Sequence, residues 1–248
     1  HHVRDEERTR ATTNLLRHNV ATYRGMGSFL DPHAVQIQNS SGKKEILTAS
    51  KILIATGTRP HRPPEYPWGD ERLFDSDTIL GISNLPHRLL VIGGGVIGCE
   101  YACIFAALGV HVTLIDGRGR LLGFLDEEVS LSLQKAMQDM GINLKLGDSV
   151  KLIKSAQFLD VDFANSESEA YDNVLIASGR QGAVDALCLD RIGLVPDKRG
   201  LLKVNEHYQT ELEHIYAAGD VIGFPALAST SMEQARIAMC LSLIHISE

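Results

Sequence analysis

The stretch that most constrains this chain is Leu89-Leu90-Val91-Ile92-Gly93-Gly94-Gly95-Val96-Ile97-Gly98-Cys99-Glu100-Tyr101-Ala102, an apolar run that breaks on glycines and resumes with helical spacing. It carries Gly93-x-Gly95-x-x-Gly98. In this pattern the first glycine permits a tight strand-to-helix turn, the second lets backbone amides approach a pyrophosphate, and the third brings helix and strand close together. The flanks support it. Four apolar residues precede the turn, and Ile97, Tyr101, Ile104, Phe105 and Leu108 follow a helical period after it. A second apolar run, Val112-Thr113-Leu114-Ile115, ends at Asp116, eighteen residues past Gly98. That is where an acid that holds a ribose belongs. Strand, turn, helix, strand and acid therefore predict a Rossmann-like dinucleotide site, with the anion at the positive end of the helix.

The remaining chain is organised around that unit. Residues 1 to about 20 predict a partly exposed helix, and His1 and His2, side by side, form no metal site. Ala34 to Gln38 and Glu45 to Thr48 flank a turn and predict a hairpin. Lys51 to Ile54 reads as a buried strand stopping at Gly57, followed by a connector holding Pro60, Pro63, Pro64 and Pro67, which reads as a boundary. After Asp116, Asp126-Glu127-Glu128 opens a helix whose apolar stripe is Val129, Leu133, Ala136, Met137 and Met140. Strands are expected at 142–146, 150–154, 159–163 and 174–177. Strands alternating with helices imply a parallel sheet closed by a short antiparallel excursion.

Composition excludes more than it identifies. The net charge of −7 disfavours nucleic acid or an anionic membrane as a partner, and no apolar run approaches the length of a membrane span. The expected compartment is the cytoplasm. Cys99 and Cys103 fall four apart on one predicted helix, a poor disulfide geometry, and read as packing residues.

Three motifs in order, Ala55-Thr56-Gly57-Thr58-Arg59-Pro60, the glycine turn with Glu100, and Tyr216-Ala217-Ala218-Gly219-Asp220, resemble the FAD-dependent pyridine nucleotide-disulfide oxidoreductase family. The likeness runs from about Val20 to about Met239. It implies an α/β fold in which a Rossmann-like NAD(P)-binding domain (83–195) is inserted in a partial FAD-binding domain (1–82, with a return segment 196–239). It implies FAD, NAD and NADP as cofactors and hydride transfer between the nucleotides through the flavin, in a homo-oligomeric parent; the alternatives are a disulfide oxidoreductase like dihydrolipoamide dehydrogenase and a non-catalytic nucleotide-binding fragment. By resemblance, Thr56, Gly57, Gly219 and Asp220 contact FAD, Asp220 through a ribityl hydroxyl. The helix from Ser229-Thr230-Ser231 aims its amides at the flavin, and Glu100 lies beside the nicotinamide as the catalytic residue. Gly93, Gly95, Gly98, Asp116, Arg118, Arg120 and Gly179 complete the cofactor contacts, and Arg180 fixes a hinge.

Two departures accompany the likeness. Family members begin with an FAD-binding strand–turn–helix and end with an interface domain carrying a His-Glu pair, and neither is found in this sequence. The chain is thus expected to be an internal fragment, inactive alone, with a non-native tail at 240–248. Asp116 and the loop Gly117-Arg118-Gly119-Arg120 pull nucleotide preference in opposite directions. The expectation is tolerance of both nucleotides, NAD preferred, with the arginines free to swing.

Overall fold

The computed structural model describes the backbone of residues 2–244 and the side chains of residues 5–243. The chain divides into two compact units, residues 59–181 and residues 1–58 with 182–248. It leaves the discontinuous unit along β5 (Thr58–Pro60) and returns along β14 (Arg180–Gly182). The boundaries therefore fall at the start of the proline-rich connector and at the end of the last strand of the glycine-turn unit. The reason is β6 (Leu73–Asp75), which pairs in parallel with β13 (Asn173–Ile176) and draws the segment after residue 58 into the sheet of the glycine-turn unit.

That unit is built on a five-stranded parallel sheet in the order β6-β13-β7-β8-β9, where β7 is Arg88–Ile92, β8 is His111–Asp116 and β9 is Asn143–Leu146. Both faces are covered. Leu89 and Val91 of β7, with Val112 and Leu114 of β8, point to α2 (Val96–Ala107) and α3 (Glu127–Asp139). Leu90 and Ile92 point the other way, onto Ile153, Leu159, Val161, Phe163 and Tyr171. Those residues belong to the antiparallel layer β10 (Val150–Ser155), β11 (Leu159–Phe163) and β12 (Glu169–Tyr171). A central parallel strand buried on both sides has to be a continuous apolar run, which is what Leu89 to Ile92 supply.

The two helices bury faces other than their most apolar ones. In α2 the buried residues are Gly98, Cys99, Ala102 and Phe105, while Ile104 and Leu108 are exposed. Small residues let this helix lie close on the sheet, so the large aliphatics face outward. In α3 only Ser130 and Met137 are buried, and Val129 and Met140 are exposed. The stripe is rotated because polar groups serve the core here. Ser130 donates its hydroxyl to the Leu121 carbonyl, and the Gln134 side-chain oxygen accepts the Leu121 amide at 3.1 Å. A loop with unpaired backbone groups thus takes the helix face that apolar spacing alone would assign elsewhere.

Asp75, 2% exposed at the end of β6, organises the loop that follows. Its carboxylate accepts from Arg62 Nε (2.8 Å) and Nη2 (2.7 Å), from the Asp77 and Thr78 amides, and from the Thr78 hydroxyl. Burial pushes its carboxyl up, but these bonds outweigh burial and hold it below the usual carboxylate value of 3.8. A depressed folded value stabilises above that pH and is lost as pH falls through it. Asp75→Ala should therefore cost about 2 kcal/mol at pH 7, most of it from the Asp77 and Thr78 amides and the Thr78 hydroxyl losing their acceptor, since Arg62 is half exposed. The gap between wild type and variant in urea unfolding should narrow at pH 3. A gap that stays constant would contradict this assignment.

The discontinuous unit contains the meander β1 (Met26–Asp31), β2 (Ala34–Gln38) and β3 (Lys44–Thr48), in which Gln38 pairs with Lys44 as the hairpin requires. β4 (Ile52–Ile54) and β15 (Ile215–Ala217) run in parallel, with Ile54 opposite Ala217. Phe29, Ile54, Val184, Ile192, Ile215 and Val221 form its core. Helix α1 (His2–Arg17) exposes every described side chain. Helix α4 (Ala228–Ile244) continues through the first residues of the tail. Residues 245–248 and the side chains of His1 and His2 lie outside the described residues. Among the described residues no helix is long and apolar enough to cross a membrane.

Candidate dinucleotide and flavin contacts

The three glycines of the turn have different physical reasons. Gly93 has φ +112°, and a Cβ there would lie 2.5 Å from the Ala177 carbonyl oxygen. At Gly98 a Cβ would lie 1.8 Å from the Gly93 oxygen, so the third glycine is what allows α2 to pass over the turn. At Gly95 a Cβ would meet nothing within 4 Å, and φ is −80°. Glycine is not needed there for folding. Gly95 is the N-cap of α2, and no side chain caps that helix, so the amides of its first turn have no side-chain acceptor beside this open position. An open anion cradle at the positive end of a helix seated on the sheet fits a pyrophosphate. Gly179, in the turn between β13 and β14, has φ +113° and open space beside it, with its carbonyl accepting the His61 amide at 2.9 Å.

Asp116 ends β8 as the sequence pattern predicts, but its carboxylate is engaged. Oδ2 accepts the Gly94 amide at 2.6 Å and Arg118 Nη2 at 2.7 Å, and Oδ1 accepts the Arg118 amide at 2.8 Å and Nε at 2.9 Å. Burial raises its carboxyl, yet the Arg118 and Gly94 hydrogen bonds prevail and leave it below the ordinary value. Arg118 is thus clamped rather than swinging. Arg120 Nη2 donates to the Gly123 carbonyl at 3.2 Å. The role of Gly94 escaped the sequence reading. A Cβ on it would lie 2.5 Å from Leu121 Cδ2 and 3.1 Å from Asp116 Oδ2, and three consecutive glycines were the available signal.

Glu100 is exposed on α2 and lines a cleft of about 470 Å³ with Val96, Cys99, Cys103, Ile104, Leu122 and Leu133. Its neighbour Tyr101 donates to the Ser76 carbonyl at 2.9 Å, and Arg180 Nη1 donates to Ser76 Oγ and Asp77 Oδ1, both at 3.2 Å. These three bonds brace the loop after β6, and none was visible in the sequence. Burial pushes the Cys99 thiol up to about 11 and raises Cys103 as well, so both stay protonated, as packing residues do. All four cysteines are free.

The second group lies in the other unit. Because β4 and β15 are parallel neighbours, Thr56-Gly57 and Gly219-Asp220 leave the carboxyl ends of adjacent strands, where open α/β sheets place ligands. Gly57 (φ +68°) and Gly219 (φ +80°) make the turns. Thr58 Oγ1 donates to Asp220 Oδ2 at 3.2 Å, and the Gly219 amide donates to Oε1 of buried Gln234 at 2.9 Å. Thr56 is exposed and Asp220 half-buried, so both are open to a ligand. Gln234 of α4, unremarked in the sequence, fixes the turn that carries the acid.

These features define an α/β protein built on a glycine strand-to-helix turn, with a second pair of glycine turns at the carboxyl ends of β4 and β15. The family of pyridine nucleotide-disulphide oxidoreductases matches residues 2–236, and the chain belongs to that family, which uses FAD and NAD(P). The soluble pyridine nucleotide transhydrogenase of Sodalis glossinidius is 43% identical over 223 residues, 90% of this chain and 48% of the relative. That of Azotobacter vinelandii is 41% identical over 228 residues, 92% and 49% respectively. Among solved structures, LpdA from Mycobacterium tuberculosis aligns with a TM-score of 0.89 at 27% identity over 96% of this chain and 54% of that one. The Cu(II) complex of the HOCl-induced flavoprotein disulfide reductase RclA from Escherichia coli aligns with a TM-score of 0.80 at 29% identity, over 86% and 48%. The chain spans about half the length of the curated relatives it matches.

Proposed function

We propose that this chain is a segment of a transhydrogenase that passes hydride between NADPH and NAD+ through FAD. The observation that carries the reading is the uncapped amino end of α2 at open Gly95, supported by the transhydrogenase relatives at 41–43% identity. In this reading the unit 59–181 is the nucleotide domain and the other unit holds FAD contacts. Bound flavin supplies the hydride relay. The chain's residues orient the cofactors: first-turn amides of α2 take the pyrophosphate, Gly179 leaves room beside the turn, and Glu100 meets the nicotinamide end. Thr56, Gly57, Gly219 and Asp220 hold the flavin, with Asp220 kept in place by Thr58 and Gln234. The cytoplasm is the compartment we assign, in keeping with four free cysteines and with relatives named as soluble.

The disulfide reductase RclA, which is structurally similar, supplies the competing reading. Replacing the matching segment of the Sodalis glossinidius relative with residues 2–236 separates the two. The chimera should retain flavin and reduce a thio analogue of NAD+ with NADPH. A flavin-loaded chimera that transfers nothing between nucleotides but reduces a disulfide would overturn the proposal.

A further inference from the structure

We infer that His87 and His111 form an open two-histidine site for a divalent transition-metal ion at the amino ends of β7 and β8. The site is separate from the glycine turn. The turn and Asp116 lie at the carboxyl ends of the same strands, and His87 and Gly93, joined by an extended strand, are about 20 Å apart. The inference therefore does not rest on the dinucleotide reading.

The pair is a product of strand register. β7 and β8 are parallel with Arg88 opposite His111, and the His87 carbonyl accepts the His111 amide at 3.0 Å. Neither backbone has to be ordered for binding. His87 follows buried Pro86, and His111 follows the end of α2, where the Gly109 amide donates to the Ala106 carbonyl at 2.9 Å and the Val110 amide to the Phe105 carbonyl at 3.1 Å. Both histidines are exposed, with ring centroids 5.0 Å apart and planes tilted by 46°. Two imidazole nitrogens about 2.0–2.1 Å from one ion hold their ring centroids about 4.5 Å apart at a right angle and about 5.2 Å at a tetrahedral one. The observed spacing falls inside that range.

The tilt matters because the lone pairs of imidazole lie in the ring plane: in stacked rings they run parallel, whereas tilted rings let them converge. His33 and His214 show the contrast. Their rings stack at 4.0 Å with 19° between the planes, and each spends a nitrogen on a carbonyl, that of Ala49 (3.0 Å) or Pro32 (2.9 Å). Among the described residues neither the His87 nor the His111 ring is engaged in a hydrogen bond or an ion pair. The adjacent cation is turned away, since successive side chains alternate across a strand and Arg88 is paired with Glu169 at 2.8 Å. Imidazole suits zinc, nickel and copper rather than magnesium or calcium, and affinity rises to Cu(II) along the series. Among the described residues no group of three or more His, Cys, Asp and Glu is placed to hold an ion, so the bound ion keeps open positions for water. An ion held there ties the starts of two central strands together, and its binding should raise the melting temperature of this unit.

The test is calorimetric titration of the chain carrying His1→Ala and His2→Ala, which removes the other histidines adjacent in sequence, with ZnCl2, CuCl2 and MgCl2 in turn. One Zn(II) or one Cu(II) should bind per chain, Cu(II) the more tightly, and Mg(II) should not bind. His87→Ala and His111→Ala should each weaken Zn(II) and Cu(II) about tenfold or more, because either loss breaks the chelate. Both side chains are exposed, so the metal-free variants should melt as their parent does. NMR of the unsubstituted pair needs no variant: ZnCl2 should shift the ring resonances of His87 and His111 together. Binding that survives both substitutions, loss in only one of the two variants, or zinc shifts confined to other histidines would overturn the inference. Equal binding of Mg(II), or uptake of no ion at all, would overturn it as well.

Discussion

Gly98→Ala should leave the glycine-turn unit largely unfolded or destabilised by at least about 3 kcal/mol, at the upper end of overpacking costs. The added methyl group would lie 1.8 Å from the Gly93 carbonyl oxygen and 3.0 Å from its carbon, well inside any real contact. Relief would need α2 to rise from the sheet, and α2 is seated there by Cys99, Ala102 and Phe105. The turn cannot yield instead, because Gly93 is itself pressed on the carbonyl of Ala177, the residue after β13. Chemical unfolding of the variant should show a lower midpoint and lost cooperativity. A midpoint equal to wild type would mean that helix and turn are not packed as described.

Gly95→Val should do the opposite: preserve the fold and abolish nucleotide binding. The backbone at this position is extended, open to valine, with no atom near the new Cβ, so stability should fall only by about 1 kcal/mol from the poorer helix cap. The isopropyl group then occupies the space through which phosphate reaches the amides. Losing two hydrogen bonds to a charged group, at about 1.5–3 kcal/mol each, is a loss of roughly a hundredfold or more in affinity. The two glycines, three positions apart, thus separate folding from binding, which an unfolding curve and a calorimetric titration of each variant would establish.

How much of this was legible follows from how local each feature is. The parallel sheet, the glycine turn and the hairpin were readable because each is encoded within a short window: an apolar run of four, glycines at fixed spacing, alternation about a polar turn. The strand β6 was not, since Leu73-Phe74-Asp75 is three residues long and acquires its meaning only by pairing with β13 about a hundred residues later. That one pairing packs the segment after residue 58 with the glycine-turn unit. Helix faces were misread where backbone chemistry prevailed over apolarity, as Ser130 and Gln134 do at Leu121. The positions of Asp116 and Arg118 were readable, but their mutual clamp was not, because spacing reports where a side chain starts and not which donors reach it.

The central claim, that a dinucleotide lies on the amino end of α2, is most directly tested by amide-resolved NMR of this chain titrated with NADH. The account predicts that the largest shifts fall on the Gly95, Val96 and Ile97 amides, saturate at one nucleotide per chain, and vanish in Gly95→Val. Shifts centred on another part of the fold, or shifts at α2 that persist unchanged in the variant, would contradict it.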